Sequence, residues 1–283
     1  MAEQTIDVRR VAGSLGAEIF GVDLSRDLTN QTYDEIHEAF LDHQVLFIRD
    51  QNLTPPQQAA FARRFGPLNE YPFVKGLEDA PEIIEIVKEP DETINFGGVW
   101  HSDTTYLDNP PLGTALYALE VPAAGGDTMY ANMYDAYDTL SDGMKHMLAP
   151  LTGVSSAALR RSGGRAKGIG KTSTMTPLNM DKAETITAEH PVIRTHPETG
   201  RKALYVNSAH TVCFKGMTEE ESKPLIEYLC NHAVRPEFTC RFKWEIGTLA
   251  IWDNRCVQHF AINDYHGERR RMHRATIVGD RPH

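Results

Sequence analysis

The stretch Gly97-Gly98-Val99-Trp100-His101-Ser102-Asp103-Thr104-Thr105 decides how the rest of the chain is read. If residues 100–103 are extended, His101 and Asp103 project from one face, because side chains alternate sides along a strand. An imidazole nitrogen and a carboxylate oxygen can then converge on one metal ion. Taken alone, His-x-Asp is also the pattern of a capping or hydrogen-bonding pair. A third ligand has to come from far along the chain, and Trp252-Asp253-Asn254-Arg255-Cys256-Val257-Gln258-His259 offers His259.

Two histidines and a carboxylate on one face of a metal leave its remaining positions open, the arrangement found in non-haem Fe(II) oxygenases. The same three ligands with an open fourth position would equally suit a zinc hydrolase. Beyond His259 come Arg270 and Arg274. A guanidinium carries a fixed charge and a two-pronged donor geometry that matches a carboxylate. The hydroxyl of Thr128 could donate to the same anion. An isolated Arg269-Arg270-Arg271 run is also what a solvated charged turn contains.

The 283 residues, 41% hydrophobic and 24% charged, are those of an ordinary globular protein with a sizeable core. A net charge of -10 argues against nucleic acid or an anionic membrane as the main partner. Local basic clusters, Arg160-Arg161 and Arg269-Arg270-Arg271, still leave room for a small anionic substrate. Cys213, Cys230, Cys240 and Cys256 lack C-x-x-C spacing, so neither a zinc knuckle nor a disulfide framework is expected. Met1-Ala2-Glu3-Gln4 opens no apolar signal segment, and no apolar run approaches bilayer length. A cytoplasmic protein is expected, and a reducing compartment suits Fe(II).

Apolar periodicity predicts two strands within residues 5–23, then a helix capped by Thr29 with Tyr33, Ile36, Ala39 and Phe40 on one face. Val45-Leu46-Phe47-Ile48 reads as a buried strand. A second helix begins at Thr54-Pro55-Pro56 and runs to Phe65 before Gly66. Strands follow at residues 82–87 and 112–119, separated by a polar loop at 88–98 that lies over the face of His101 and Asp103. Gly125-Gly126-Asp127 is a tight turn delivering Thr128 onto a strand. Residues 134–148 read as a helix that Leu140-Ser141 divides, and Thr218 with Glu221 caps another through Ala233. Strands are expected at 192–194, 202–206, 238–244, 248–252 and 274–278. Residues 155–190 fit no regular pattern and are expected to be a lid or insert over the site. Within them Gly170-Lys171-Thr172 ends like a phosphate loop, but Arg165 stands where the first glycine should be. Short β-branched strands with few helices between them give a mainly β fold, a jelly roll with helices packed outside, in one domain over residues 1–283.

Trp-His-x-Asp-x-Thr, Gly-Gly-Asp-Thr, Trp-Asp-Asn-Arg-x-x-x-His and Arg-x-Met-His-Arg-Ala-Thr occur in this order, and the chain resembles the taurine dioxygenase and 2,4-dichlorophenoxyacetate dioxygenase family. The likeness runs from Gly16-Ala17-Glu18-Ile19 to Gly279-Asp280-Arg281-Pro282. It implies a double-stranded β-helix (cupin-like jelly roll) holding Fe(II) through His101, Asp103 and His259. Thr128 and Arg270 would bind the distal carboxylate of 2-oxoglutarate, whose other end chelates the iron. With O2, the resemblance implies decarboxylation to succinate and CO2 coupled to hydroxylation of a substrate C–H bond, often followed by cleavage of the product. Arg274 would meet the anionic group of a sulfonate, an alkyl sulfate or an aryloxyalkanoate. Tyr71 stands where the taurine enzyme carries a sulfonate-binding histidine, and Gly97 replaces a polar contact, which argues against taurine itself. His210 is a further substrate-contact candidate, and His273 should point away from the site. Relatives form dimers or tetramers, so a homo-oligomer is expected. The rival readings are the zinc hydrolase, which leaves Arg270 and Thr128 without a task, and a jelly-roll binding protein that has lost turnover.

Overall fold

The computed structural model describes residues 4–158, 178 and 185–283. All four residues of β3 (Val45–Ile48) are buried, because this strand lies inside a sheet covered on both faces. The sheet runs β1 (Asp7–Arg10), β2 (Ala17–Phe20), β3, β14 (Leu249–Asp253), β6 (Gly113–Glu120), β16 (Arg270–Ile277) and β4 (Leu68–Asn69). β5 (Ile83–Lys88) pairs with β16 along the same edge as β4. Every pairing is antiparallel except β2 with β3.

Alternation along these strands sorts two cores. Leu46, Ile48, Ala115, Tyr117, Ile251 and Ala275 face outward into one cluster with Ile36, Phe40 and Phe61. Those last three belong to α1 (Asn30–His43) and α2 (Pro55–Ala62), which cover that face. Thr29 caps α1 by accepting from the Thr32 amide, and the Thr54 amide donates to Gln57 ahead of α2. Phe47, Leu116, Trp252 and Met272 face inward.

Opposite the inner face stands a smaller sheet, β13 (Thr239–Phe242), β7 (Thr128–Asn132) and β15 (Val257–Ala261). Phe47 of the large sheet stacks on Phe242 of the small one at 3.7 Å. Two further sets flank it, β12 (Thr211–Phe214) with β8 (Thr152–Ser156) and β9 (Thr187–Pro191), and β10 (Ile193–Thr195) with β11 (Lys202–Leu204). Antiparallel sheets closing on one core are the expected jelly roll. Beside them pack α3 (Met133–Asp138), α4 (Asp142–Leu148) and α5 (Glu219–Ala233). Ser141 caps α4, so the division at Leu140-Ser141 is real, and Thr218 with Glu221 forms the capping box of α5.

Three expectations need correction. The ends of the 155–190 segment are not irregular: β8 and β9 pair with each other from Thr152↔Pro191 to Ser156↔Thr187. Buried residues alternate with half-buried ones in β8 and with exposed or half-buried ones in β9, most of them small or polar, so no apolar run announces them. Residues 159–177 and 179–184, with most of the expected lid and Gly170-Lys171-Thr172, lie outside the described residues. The closing strand begins at Arg270 rather than Arg274, which puts the arginine run in the sheet and not in a turn. Residues 100–103 do not form a regular strand. His101 makes a single antiparallel bridge to His259, and the chain turns immediately afterwards, with Thr104 at φ 44°.

Candidate active site

The bridge between His101 and His259 is a reciprocal pair of backbone hydrogen bonds, His101 N–H to His259 O at 3.1 Å and His259 N–H to His101 O at 2.8 Å. Two imidazoles from distant parts of the chain are thereby set side by side, ring centroids 4.2 Å apart. Asp103 completes the cluster, its Oδ1 lying 3.6 Å from His101 Nε2 and 3.9 Å from His259 Nε2. One ligand atom from each residue falls within 4.8 Å of the others, and all three residues are buried. Asn254 holds the turn in place: its Oδ1 accepts from the Asp103 amide at 2.6 Å, while its Nδ2 donates to the carbonyls of Asp103 and Pro111.

The donor chemistry fits a divalent metal. His101 Nδ1 donates to the Val99 carbonyl at 2.6 Å, which leaves the lone pair on Nε2 facing Asp103 and His259. Asp103 Oδ2 accepts from Thr114 Oγ1 at 2.9 Å and from Arg274 Nη2 at 2.8 Å. Oδ1 is buried with no hydrogen-bond partner among the described residues. A buried carboxylate oxygen without a donor is costly unless a cation sits on it. Burial would raise the Asp103 pKa, but Arg274 and then the two histidines outweigh it and hold the carboxyl well below the usual range.

A pocket with about 430 Å³ of space, solvent at its mouth included, adjoins the cluster, lined by His101, His259, Thr128, Arg270 and Arg274, with Ile86, Phe96, Leu116 and Ala261 as apolar walls. Gly97 also lines it, in a left-handed conformation (φ 86°) that favours glycine, and a Cβ there would stand 3.4 Å from His101 Cε1. Arg270 is 7% exposed, and its Nε and Nη2 have no hydrogen-bond partner among the described residues. Burial pulls its pKa down, opposed by Tyr265, Tyr130 and Asp127. Thr128 Oγ1 accepts from Trp244 Nε1 at 2.9 Å, so its own proton can be offered elsewhere. An unpaired buried guanidinium beside such a hydroxyl is a fitting seat for a carboxylate. Arg269 and Arg271 point the other way, onto Glu89, Glu120 and Glu85.

Arg274 lies inside, against Asp103 rather than clear of it, with its guanidinium 5.3 Å from the Tyr71 ring. Tyr71 is buried and meets Phe96 edge-on at the cavity wall. His210 is buried with its ring perpendicular to His101 at 6.0 Å and its Nδ1 3.2 Å from Thr105 Oγ1. His273 faces away, 3.4 Å from Glu85. Trp252 lines the cavity with its ring 4.5 Å from His259.

A second group, His196, Asp253 and Cys256, also brings potential ligand atoms together. Its protons are in the wrong places for a metal. The amides of Glu198 and Thr199 donate to His196 Nδ1, so Nε2 carries the proton it gives to Asp253 Oδ2 at 2.9 Å. Arg255 takes both Asp253 oxygens, and burial pushes the Cys256 thiol pKa well up. This is a buried polar brace for the turn after β14.

Sequence reasoning did not reach Thr114, Trp244 or the Val99 carbonyl, which act on the candidate ligands only through contacts made by folding. Asn254 sits inside the Trp-Asp-Asn-Arg run but has no pattern of its own that marks it. Comparison with known proteins adds an independent line. The family pattern described as taurine catabolism dioxygenase TauD, TfdA family matches residues 7–276. An alkylsulfatase from Acinetobacter baylyi is 33% identical over 98% of this chain and 86% of its own length. An alpha-ketoglutarate-dependent sulfate ester dioxygenase from Pseudomonas putida is 34% identical over 98% and 91%. Among solved structures, a taurine dioxygenase from Burkholderia xenovorans superposes with a TM-score of 0.82 at 35% identity, covering 98% and 92%.

Proposed function

Since the chain belongs to the TauD, TfdA family and is an Fe(II)- and 2-oxoglutarate-dependent dioxygenase, we propose that it hydroxylates a C–H bond of a small organic anion. The classes that fit are alkyl sulfate esters, sulfonates and aryloxyalkanoates. The observation that carries this reading is the charge gathered around one cavity: the His101, Asp103 and His259 cluster with Arg274 against Asp103, and the buried Arg270, which has no carboxylate partner among the described residues. A zinc hydrolase has no use for the buried Arg270.

In this reading His101 Nε2, His259 Nε2 and Asp103 Oδ1 hold the metal. Iron bound there would activate O2, the oxidant, with two electrons drawn from the decarboxylation of 2-oxoglutarate to succinate and CO2 and two from the substrate C–H bond. Arg270 takes the distal carboxylate of 2-oxoglutarate in a two-pronged grip, and Thr128, its oxygen already engaged by Trp244, donates the remaining hydrogen bond. Arg274 uses the donors not spent on Asp103 for the substrate anion, and Tyr71 and His210 border that end. The apolar walls keep water from the carbon that reacts. We read residues 1–283 as one domain, working in the cytoplasm as a dimer or tetramer. Among the described residues no helix is long and apolar enough to cross a membrane.

The test is succinate release from 2-oxoglutarate by the Fe(II)-loaded protein over a panel of sulfate esters, sulfonates and aryloxyalkanoates. Stoichiometric release with at least one class is expected. Turnover that persists with zinc alone, or none across the panel, would overturn the reading.

A further inference from the structure

Arg270 is not the only buried cation at its end of β16. Lys88, the last residue of β5, is the direct antiparallel partner of Arg270, the first residue of β16. Partners directly opposite in such a pair leave the sheet on the same face, with Cβ atoms roughly 4.5–5.5 Å apart. That face is the inner one, since Ile86 on β5 and Arg270 and Arg274 on β16 all line the cavity. The outer face of the same strands carries Glu85, to which both Arg271 and His273 pair.

Lys88 is 3% exposed, and its Nζ has no hydrogen-bond partner among the described residues. It rests over the Tyr265 ring, 4.4 Å from the centroid. The acid that acts on Arg270, Asp127, is already committed to Arg241 at 2.6 Å. Two buried cations on paired positions repel each other and lack water, an arrangement that an anion would relieve.

We propose that Lys88 is a second binding residue for the distal carboxylate of 2-oxoglutarate, acting with Arg270 on the end of the co-substrate that does not reach the metal. The proposal rests on the reading of Arg270 given above. The two cations divide the work by their chemistry: the planar guanidinium sets the carboxylate's orientation, and the ammonium adds a compact charge with three donors. The site would thus favour a 2-oxo acid that ends in a second carboxylate over one that ends in an alkyl group.

The test is calorimetric titration of the Mn(II)-loaded protein with N-oxalylglycine and, separately, with oxalate, which chelates the metal but has no distal carboxylate. Lys88→Met should weaken N-oxalylglycine binding by about tenfold, a shift of ~1.4 kcal/mol, and leave oxalate binding unchanged. Lys88→Arg, which keeps the charge, should retain most of the affinity. Wild-type N-oxalylglycine affinity in Lys88→Met, with a loss in Arg270→Met, would overturn the proposal and spare the reading of Arg270. Wild-type affinity in Arg270→Met would overturn that reading itself. Parallel loss of oxalate and N-oxalylglycine in Lys88→Met would place its effect on the metal site and also count against the proposal.

Discussion

Arg274 Nη2 lies 2.8 Å from Asp103 Oδ2, while Asp103 Oδ1 faces the two histidines. The carboxylate is thus divided, one oxygen held by Thr114 and Arg274 and the other without a hydrogen-bond partner among the described residues, the oxygen proposed to take the metal. In the proposed function Arg274 would stand between two anions, the Asp103 carboxylate behind it and the substrate group in front. Arg274→Ala should raise the substrate KM and also leave Asp103 a buried, uncompensated charge. Breaking such a pair from one side costs about 3–5 kcal/mol. Chemical denaturation of the metal-free protein measures this, and an effect on KM alone would refute the structural half of the role.

Thr114 bears on the same geometry through a neutral side chain, which also accepts a long bond from Arg274 Nη2 at 3.4 Å. It donates to Asp103 Oδ2 at 2.9 Å from the neighbouring strand β6. Thr114→Val keeps the volume and removes the donor. Loss of a group that orients a ligating carboxylate lowers metal affinity by about 10–100-fold. Competition titration with Mn(II) should show that loss while the circular dichroism spectrum is retained. Unchanged affinity would mean that Arg274 suffices to orient the carboxylate.

For Arg270 two effects of opposite sign are expected. The unpaired guanidinium destabilises the metal-free protein, so Arg270→Leu should unfold at a higher urea midpoint than the wild type. The same change removes the proposed partner of the distal carboxylate, and truncating one side of a buried charge pair costs about 2–5 kcal/mol of binding. The apparent 2-oxoglutarate requirement should rise accordingly, with little change in the requirement for the substrate. Equal effects on both requirements would count against the assignment.

The candidate ligand set was legible because each member carries its own chemistry, and the structure brings His101, Asp103 and His259 together. Strands with an apolar run, such as Val45–Ile48 and Leu249–Asp253, were legible for the same reason. What stayed hidden depends on register. Lys88 meets Arg270, and Trp244 meets Thr128, only through strand pairing and packing across the core. β8 and β9 were hidden by their exposed faces, since Thr152-Gly153-Val154-Ser155-Ser156 looks like a loop until its partner is known. The arginine run was ambiguous until the sheet sorted it, Arg270 inward and Arg269 and Arg271 onto glutamates.

Asp253 supplies a prediction in pH. Burial would raise its pKa, but Arg255 and then His196 outweigh this and hold the carboxyl well below its ordinary value. A carboxyl whose folded pKa is depressed contributes stability that is fully present above the unfolded value, about 3.9, and is lost as pH falls toward the folded one. The wild type should therefore lose stability steeply once the pH drops below about 4. Asp253→Asn should be weaker already at pH 6, by about 1.5–3 kcal/mol, because Arg255 loses its charge-assisted bonds to Asp253 and keeps Glu198 as its partner. Its urea midpoint should then fall less steeply than that of the wild type between pH 5 and pH 3, since this titration has been removed. Parallel curves over that interval would show that Asp253 is not the group whose protonation loosens the turn after β14.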